Sequence, residues 1–279
     1  MEVESSDIRR KKKMKYVRII AEGLDPAGNY GVLEGNTVAI VDRSPVAGNM
    51  KPTGRKIDVR DIKKFLSPVE PPNIIALGLN YREHARESNM ELPSAPVIFL
   101  KATTSATGHL QDICLPKEAP DFVDYEAELV IVIGKTAKHV VKEKAKEYIL
   151  GYTCGNDISA RDCQMKIDKQ WARGKSFDTF APLGPYLVMD IDPGNLKIQT
   201  RLNGTVMQQA TTSDMIFDVP TIVSYLSRQM TLLPGTMIMT GTPDGVGFAR
   251  NPQVFLKPGD IVEVEIEDIG ILKNKVKLE

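Results

Sequence analysis

The chain predicts a strand-rich α+β fold. Short β-like runs follow one another through most of its 279 residues, turn chemistry separates them, and the few helical patterns do not alternate regularly with strands. The lack of alternation disfavours a Rossmann or barrel layout.

Residues 1–13 end in Arg9-Arg10-Lys11-Lys12-Lys13, which reads either as a nuclear or polyanion-binding patch or, as is more often the case, as a disordered, solvated basic extension. They lack the apolar core of a signal peptide, and Glu2, Glu4 and Asp7 do not suit the acid-poor pattern of a mitochondrial presequence. A small N-terminal β domain is expected over residues 14–70. It opens with residues 16–20, then pairs 30–33 with 37–41 across the Glu34-Gly35-Asn36 turn, a hairpin signal. An amphipathic helix is expected around 59–66. Pro68, Pro71 and Pro72 then punctuate the chain, and residues 71–279 read as the larger, catalytic domain. Strands are expected there at 74–79, 97–100, 129–133, 186–189, 197–202, 237–240 and 261–266. Asn203-Gly204 and Pro258-Gly259-Asp260 serve as turns. Helices are expected at 81–88, 142–150 and 219–230; in the last, Ile222, Leu226 and Met230 stack at four-residue spacing.

Composition narrows the function. Lysine plus arginine equals aspartate plus glutamate at 36 each, so no clustered basic excess calls for nucleic acid. No apolar run reaches the ~20 residues of a membrane span. Cys114, Cys154 and Cys163 form no Cys-x-x-Cys pair, which fits a reducing compartment, and a cytoplasmic location is expected.

The stretch from Asp124 to Gly134 carries the chemistry. Side chains alternate along a strand, so Glu126 and Glu128 share a face. Alone, such a pair reads as a wet strand face, but the run continues through Val130-Ile131-Val132-Ile133, apolar on both faces, which argues for burial. Buried neighbouring carboxylates call for a hard cation between them, and Asp157, past the apolar segment 148–152, supplies a third. The three read as a magnesium or manganese site.

Two further segments carry ionisable groups. His84 and Glu87 at i, i+3 on a helix would be neighbours, either as a surface ion pair or as a base whose tautomer a carboxylate fixes. Lys175 stands in a loop bounded by glycine and proline. Its Gly174-Lys175-Ser176 setting lacks the first glycine of a phosphate loop, so it reads as a fixed cation or as a plain solvated lysine. Arg161 could grip a carboxylate and Gln164 donate to a carbonyl. The glycine-rich Thr240 to Gly247 segment lets backbone approach a ligand closely or simply punctuates a loop.

Six ordered motifs together resemble the fumarylacetoacetate hydrolase superfamily: Gly78 to Glu87, Pro96 to Lys101, Asp124 to Leu129, Asn156 to Asp162, Gly174 to Asp178 and Thr240 to Gly247. The resemblance covers about residues 72–276 and is nearest to the short acylpyruvase, decarboxylase and hydroxy-diene dioate isomerase members. It implies a mixed β-roll or β-sandwich with a small N-terminal domain and a short helical lid, usually as a homodimer. It implies Glu126, Glu128 and Asp157 as Mg²⁺ ligands, with Mn²⁺ or Ca²⁺ able to substitute. It also implies His84 and Glu87 as a water-activating dyad, Lys175 as the cation facing substrate, and Tyr81, Arg161, Gln164 and Thr242 as pocket residues. The reaction expected first is hydrolysis of a carbon–carbon bond in a 2-oxo or 2,4-dioxo acid through an enolate, with oxaloacetate-like decarboxylation or diene isomerisation as alternatives. A non-catalytic scaffold that binds a metal and small acids is the reading from outside enzymology. The polar segment around His84 is expected to be mobile, because it offers little apolar face for docking.

Overall fold

A computed structural model describes residues 13–279, so the expectation of a disordered extension lies almost wholly outside the described residues. Ten strands run side by side through one large sheet in the order Pro52–Asp58, Thr37–Val41, Asn29–Glu34, Lys15–Ala21, Ala181–Val188, Ile149–Asn156, Ala127–Ile133, Met237–Met239, Ile74–Gly78 and Val97–Lys101. Ile62–Leu66 and Ala106–Thr107 attach to its flanks. The N-terminal strands therefore extend the main sheet, joined to it where Lys15 and Tyr16 pair with Val188 and Leu187.

A second sheet of five strands packs against this one. It holds Thr205–Thr211, Lys197–Leu202, Ile261–Ile266, Gly270–Leu278 and Asp112–Leu115. Leu129, Ile131 and Ile133 from the first sheet meet Ile198, Val264, Ile266 and Leu272 from the second in one buried cluster. Tight interdigitation of such apolar faces is the main source of stability. Helix Val219–Gln229 adds Val219, Ile222, Val223 and Leu226 to the same cluster, on the stripe its four-residue spacing predicts. Asp218 starts this helix, its carboxylate accepting from the Thr221 N–H at 2.9 Å.

One helix expectation fails and another holds only in part, as a 3-10 helix. Residues 59–66 form a 3-10 turn and then strand Ile62–Leu66, whose backbone pairs with Lys15–Ala21. Residues 142–148 form 3-10 turns that hand over to strand Ile149–Asn156. In the first, hydrogen bonds to a distant strand outweigh weak local propensity; in the second, the turns wind as a 3-10 helix and give way where Ile149 pairs with Ile133. The strand Pro52–Asp58 escaped the sequence pattern because it is an edge with little buried surface.

The helix Arg82–Glu87 is anchored. Ala85 and the preceding Tyr81 are buried, Tyr81 bridges to Met215, and the Arg82 guanidinium donates to the carbonyls of Asp214 and Met215 at 3.0 and 2.7 Å. The expected lack of a docking face, on which mobility was argued, does not hold here.

Candidate active site

Strand register brings the carboxylates together. Ala127 pairs with Asn156 and Glu128 with Gly155, in antiparallel strands at the centre of the sheet. One step beyond, the Asp157 N–H donates to the Glu126 carbonyl at 2.9 Å, so the two residues face each other across the strand ends. Every residue of Ala127–Ile133 is buried, as the doubly apolar run predicts. Oxygens of Glu126, Glu128 and Asp157 lie within 4.8 Å of one another.

Two lysines share this cluster. The Lys175 ammonium donates to Glu126 Oε2 and Asp157 Oδ2, both at 2.8 Å, and Lys101 pairs with Asp157 Oδ1. Burial pushes the Glu126 carboxyl upward, but Lys175 and Arg161 outweigh it and hold it down at about 2. Burial also dominates at Glu128, where Asp157 and Glu126 add repulsion, and its carboxyl is pushed well above the usual range. One Glu128 oxygen accepts from the Gly241 N–H at 2.8 Å, and the other is buried with no hydrogen-bond partner. A buried, unsatisfied carboxylate oxygen within a triad of acids fits a hard divalent ion with oxygen ligands.

The glycine-rich segment holds carboxylates in place. Backbone N–H groups of Gly241, Gly245 and Gly247 donate to Glu128, Glu87 and Asp124 at 2.8, 2.9 and 2.8 Å. Gly241 has φ +94°, and a Cβ there would meet the Asn80 Cβ at 2.7 Å. Only glycine lets the chain turn this close to Asn80 while aiming its N–H at Glu128.

His84 and Glu87 meet, with Nδ1 to Oε2 at 3.2 Å, and the Gly245 N–H fixes the second Glu87 oxygen. His84, Glu87, Glu126, Arg161, Gln164, Lys175 and Thr242 all border one cavity of about 300 Å³. Tyr81 does not border it. The Tyr81 side chain is buried in the core, where its hydroxyl has no partner and is pushed up by burial and by Glu128. Arg161 turns its Nε and Nη2 to Asp124 Oδ2 at 2.9 and 2.7 Å, so the two-pronged grip expected for a substrate is taken by a protein carboxylate. Its Nη1 reaches Gln164 at 2.9 Å and Glu126 at 2.8 Å.

Sequence reasoning passed over Asp124, Lys101, Gln208 and the aromatic residues of the cavity. Lys101 left a signal, a single charge closing the run Val97-Ile98-Phe99-Leu100. Gln208 left none. It lies on the second sheet, where Oε1 accepts from the Ala127 N–H and Nε2 donates to Thr242 Oγ1, at 2.9 and 2.8 Å.

The family model described as fumarylacetoacetate (FAA) hydrolase C-terminal matches residues 73–277. The chain belongs to the fumarylacetoacetate hydrolase family. A second model, Rv2993c-like N-terminal, matches residues 14–68 of this family member. The fumarylacetoacetate hydrolase domain-containing protein 2 homolog of Dictyostelium discoideum is 49% identical over 236 residues, 80% of this chain and 77% of its own length. The Rattus norvegicus protein named oxaloacetate tautomerase Fahd2a, mitochondrial, is 46% identical over 216 residues, 76% of this chain and 69% of its own. The crystal structure of 2-hydroxyhepta-2,4-diene-1,7-dioate isomerase from Mycobacterium marinum superposes with TM-score 0.83 at 41% identity, covering 95% of this chain and 99% of that one. The strand-rich fold expected from sequence is thus the fold of this family. No helix among the described residues is long and apolar enough to cross a membrane.

Proposed function

We propose that this chain is a divalent-metal-dependent enzyme, with Mg²⁺ as its ion, that moves a proton at the carbon beside the oxo group of a 2-oxo carboxylic acid. The observation that carries this reading is the His84–Glu87 pair bordering the same cavity as Glu126 and Lys175. An oriented imidazole is suited to accept and return a proton near neutral pH. With all three carboxyls ionised, as they would be around a metal, Glu126, Glu128 and Asp157 exceed Lys101 and Lys175 by one negative charge. A divalent ion would reverse that sign, which favours a carboxylate substrate, and would supply Lewis-acid polarisation of the oxo oxygen. Lys175 then offsets negative charge developing on the substrate, while Thr242 and Gln164 offer hydrogen bonds at the cavity wall. His84 removes the proton from carbon, and Glu87 stabilises the imidazolium that results.

Two relatives carry names, oxaloacetate tautomerase and dioate isomerase, that describe proton shifts on an intact carbon skeleton. Those names move tautomerisation ahead of carbon–carbon hydrolysis, the first expectation from sequence. Hydrolysis uses the same enol and adds attack by a water. The test follows enol-to-keto conversion of oxaloacetate and loss of acetylpyruvate absorbance, each with Mg²⁺ and with a chelator. Chelator-sensitive oxaloacetate conversion supports the proposal, acetylpyruvate cleavage alone moves the assignment to hydrolysis, and inertness toward both refutes the enzymatic reading. A homodimer belongs to the same proposal and predicts a light-scattering mass twice the 30.9 kDa of one chain.

A further inference from the structure

The cavity is larger than a small 2-oxo acid head needs. Its roughly 300 Å³ is the liquid volume of about ten water molecules. Much of its lining is apolar. Phe99 and Trp171 meet edge to face, with centroids 5.4 Å apart and planes at 71°. A Cβ at Gly78 would come within 2.5 Å of the Trp171 ring, so the glycine lets the indole settle on the strand. Leu77, Met90 and Met165 continue this surface. The wall adjoins the chemistry, because the Lys175 ammonium is 5.2 Å from the Phe99 centroid.

The charged groups point the same way. Among the described lining residues, the lysine and arginine side chains are Lys175 and Arg161. Lys175 is held by Glu126 and Asp157, and Arg161 by Asp124, Glu126 and Gln164. A second substrate carboxylate against this wall would lose hydration without gaining a free cation, whereas an apolar group would leave water at a net gain.

We propose that Phe99 and Trp171 form a binding subsite for an uncharged apolar substituent, so that the preferred substrates are 2-oxo monocarboxylic acids with an alkyl or aryl extension. This inference rests on the 2-oxo acid reading above. Trp171 is the single tryptophan of the chain, so its emission reports occupancy of the wall directly.

The experiment titrates the full chain with Mg²⁺ against pyruvate, oxaloacetate and 4-methyl-2-oxopentanoate, reading Trp171 fluorescence. Full burial of a leucine-sized group predicts that 4-methyl-2-oxopentanoate binds about ten- to a hundredfold tighter than pyruvate. Oxaloacetate should gain no such advantage. Phe99→Ala should remove most of the gap between 4-methyl-2-oxopentanoate and pyruvate; if that variant does not fold, Trp171→Ala measured by calorimetry serves the same purpose. Equal binding of pyruvate and 4-methyl-2-oxopentanoate, or tighter binding of oxaloacetate than of 4-methyl-2-oxopentanoate, overturns the subsite. If oxaloacetate is turned over but the gap is absent, the subsite fails and the reaction stands. If the gap is present but no 2-oxo acid is turned over, the subsite stands and the reaction fails.

Discussion

Replacing Glu128 with glutamine should stabilise the metal-free protein and abolish its response to metal, two effects of opposite sign. Glu128 is fully buried, faces Glu126 and Asp157, and has one oxygen without a partner. Glutamine keeps the shape and an acceptor for the Gly241 N–H, removes the charge, and offers an amide N–H to the neighbouring carboxylates. Relief of an unsatisfied buried group is worth about 1–3 kcal/mol. At about 2–4 °C per kcal/mol, the melting temperature in chelator should rise by several degrees. Wild-type protein at about a hundred times the Mg²⁺ dissociation constant should gain about 2.7 kcal/mol, and the variant should gain almost none. The pH dependence has a definite sign. A carboxyl raised in the folded state holds its proton there after the unfolded chain has lost it. Metal-free wild type should therefore lose stability as pH climbs from the ordinary glutamate value through the raised one, and Glu128→Gln should lack that slope. The assay is thermal melting across pH, with chelator and with Mg²⁺. A variant that melts lower than wild type in chelator and still gains stability from Mg²⁺ would refute the reasoning.

Asp124→Ala should cost about 3–5 kcal/mol in denaturant unfolding, because it strips Arg161 of one of its two buried carboxylate partners and leaves the Gly247 and Phe248 N–H groups without an acceptor. An unchanged midpoint would mean that water or Glu126 takes over the pairing. Gly241→Ala forces a side chain into φ +94° against Asn80 and disturbs the N–H that aims Glu128. Calorimetric Mg²⁺ affinity should fall about ten- to a hundredfold. His84→Gln should lower the rate of enol conversion by about 10²–10⁴-fold while leaving the Mg²⁺-dependent rise in melting temperature intact. Loss of both would assign His84 to the metal centre instead.

How much could be read before folding differs from residue to residue. The carboxylates were legible because strand periodicity puts Glu126 and Glu128 on one face, and the apolar continuation on both faces marks that strand as central. His84 and Glu87 were legible as a pair because helix geometry alone joins i and i+3. The strand Ile62–Leu66 was misread as a helix, since its conformation is decided by pairing with Lys15–Ala21 more than forty residues upstream.

The amino-acid order by itself determined the strand-rich class, the acidic triad and the family motifs, because these depend on local periodicity and on residue chemistry at fixed spacing. Only the tertiary structure decided how the charges are shared. Arg161 is spent on Asp124, Lys101 joins Lys175 on Asp157, and the glycine-rich loop grips carboxylates with its backbone. Ion pairs, burial and the unsatisfied oxygen of Glu128 depend on distances between segments far apart in sequence, which only chain packing sets.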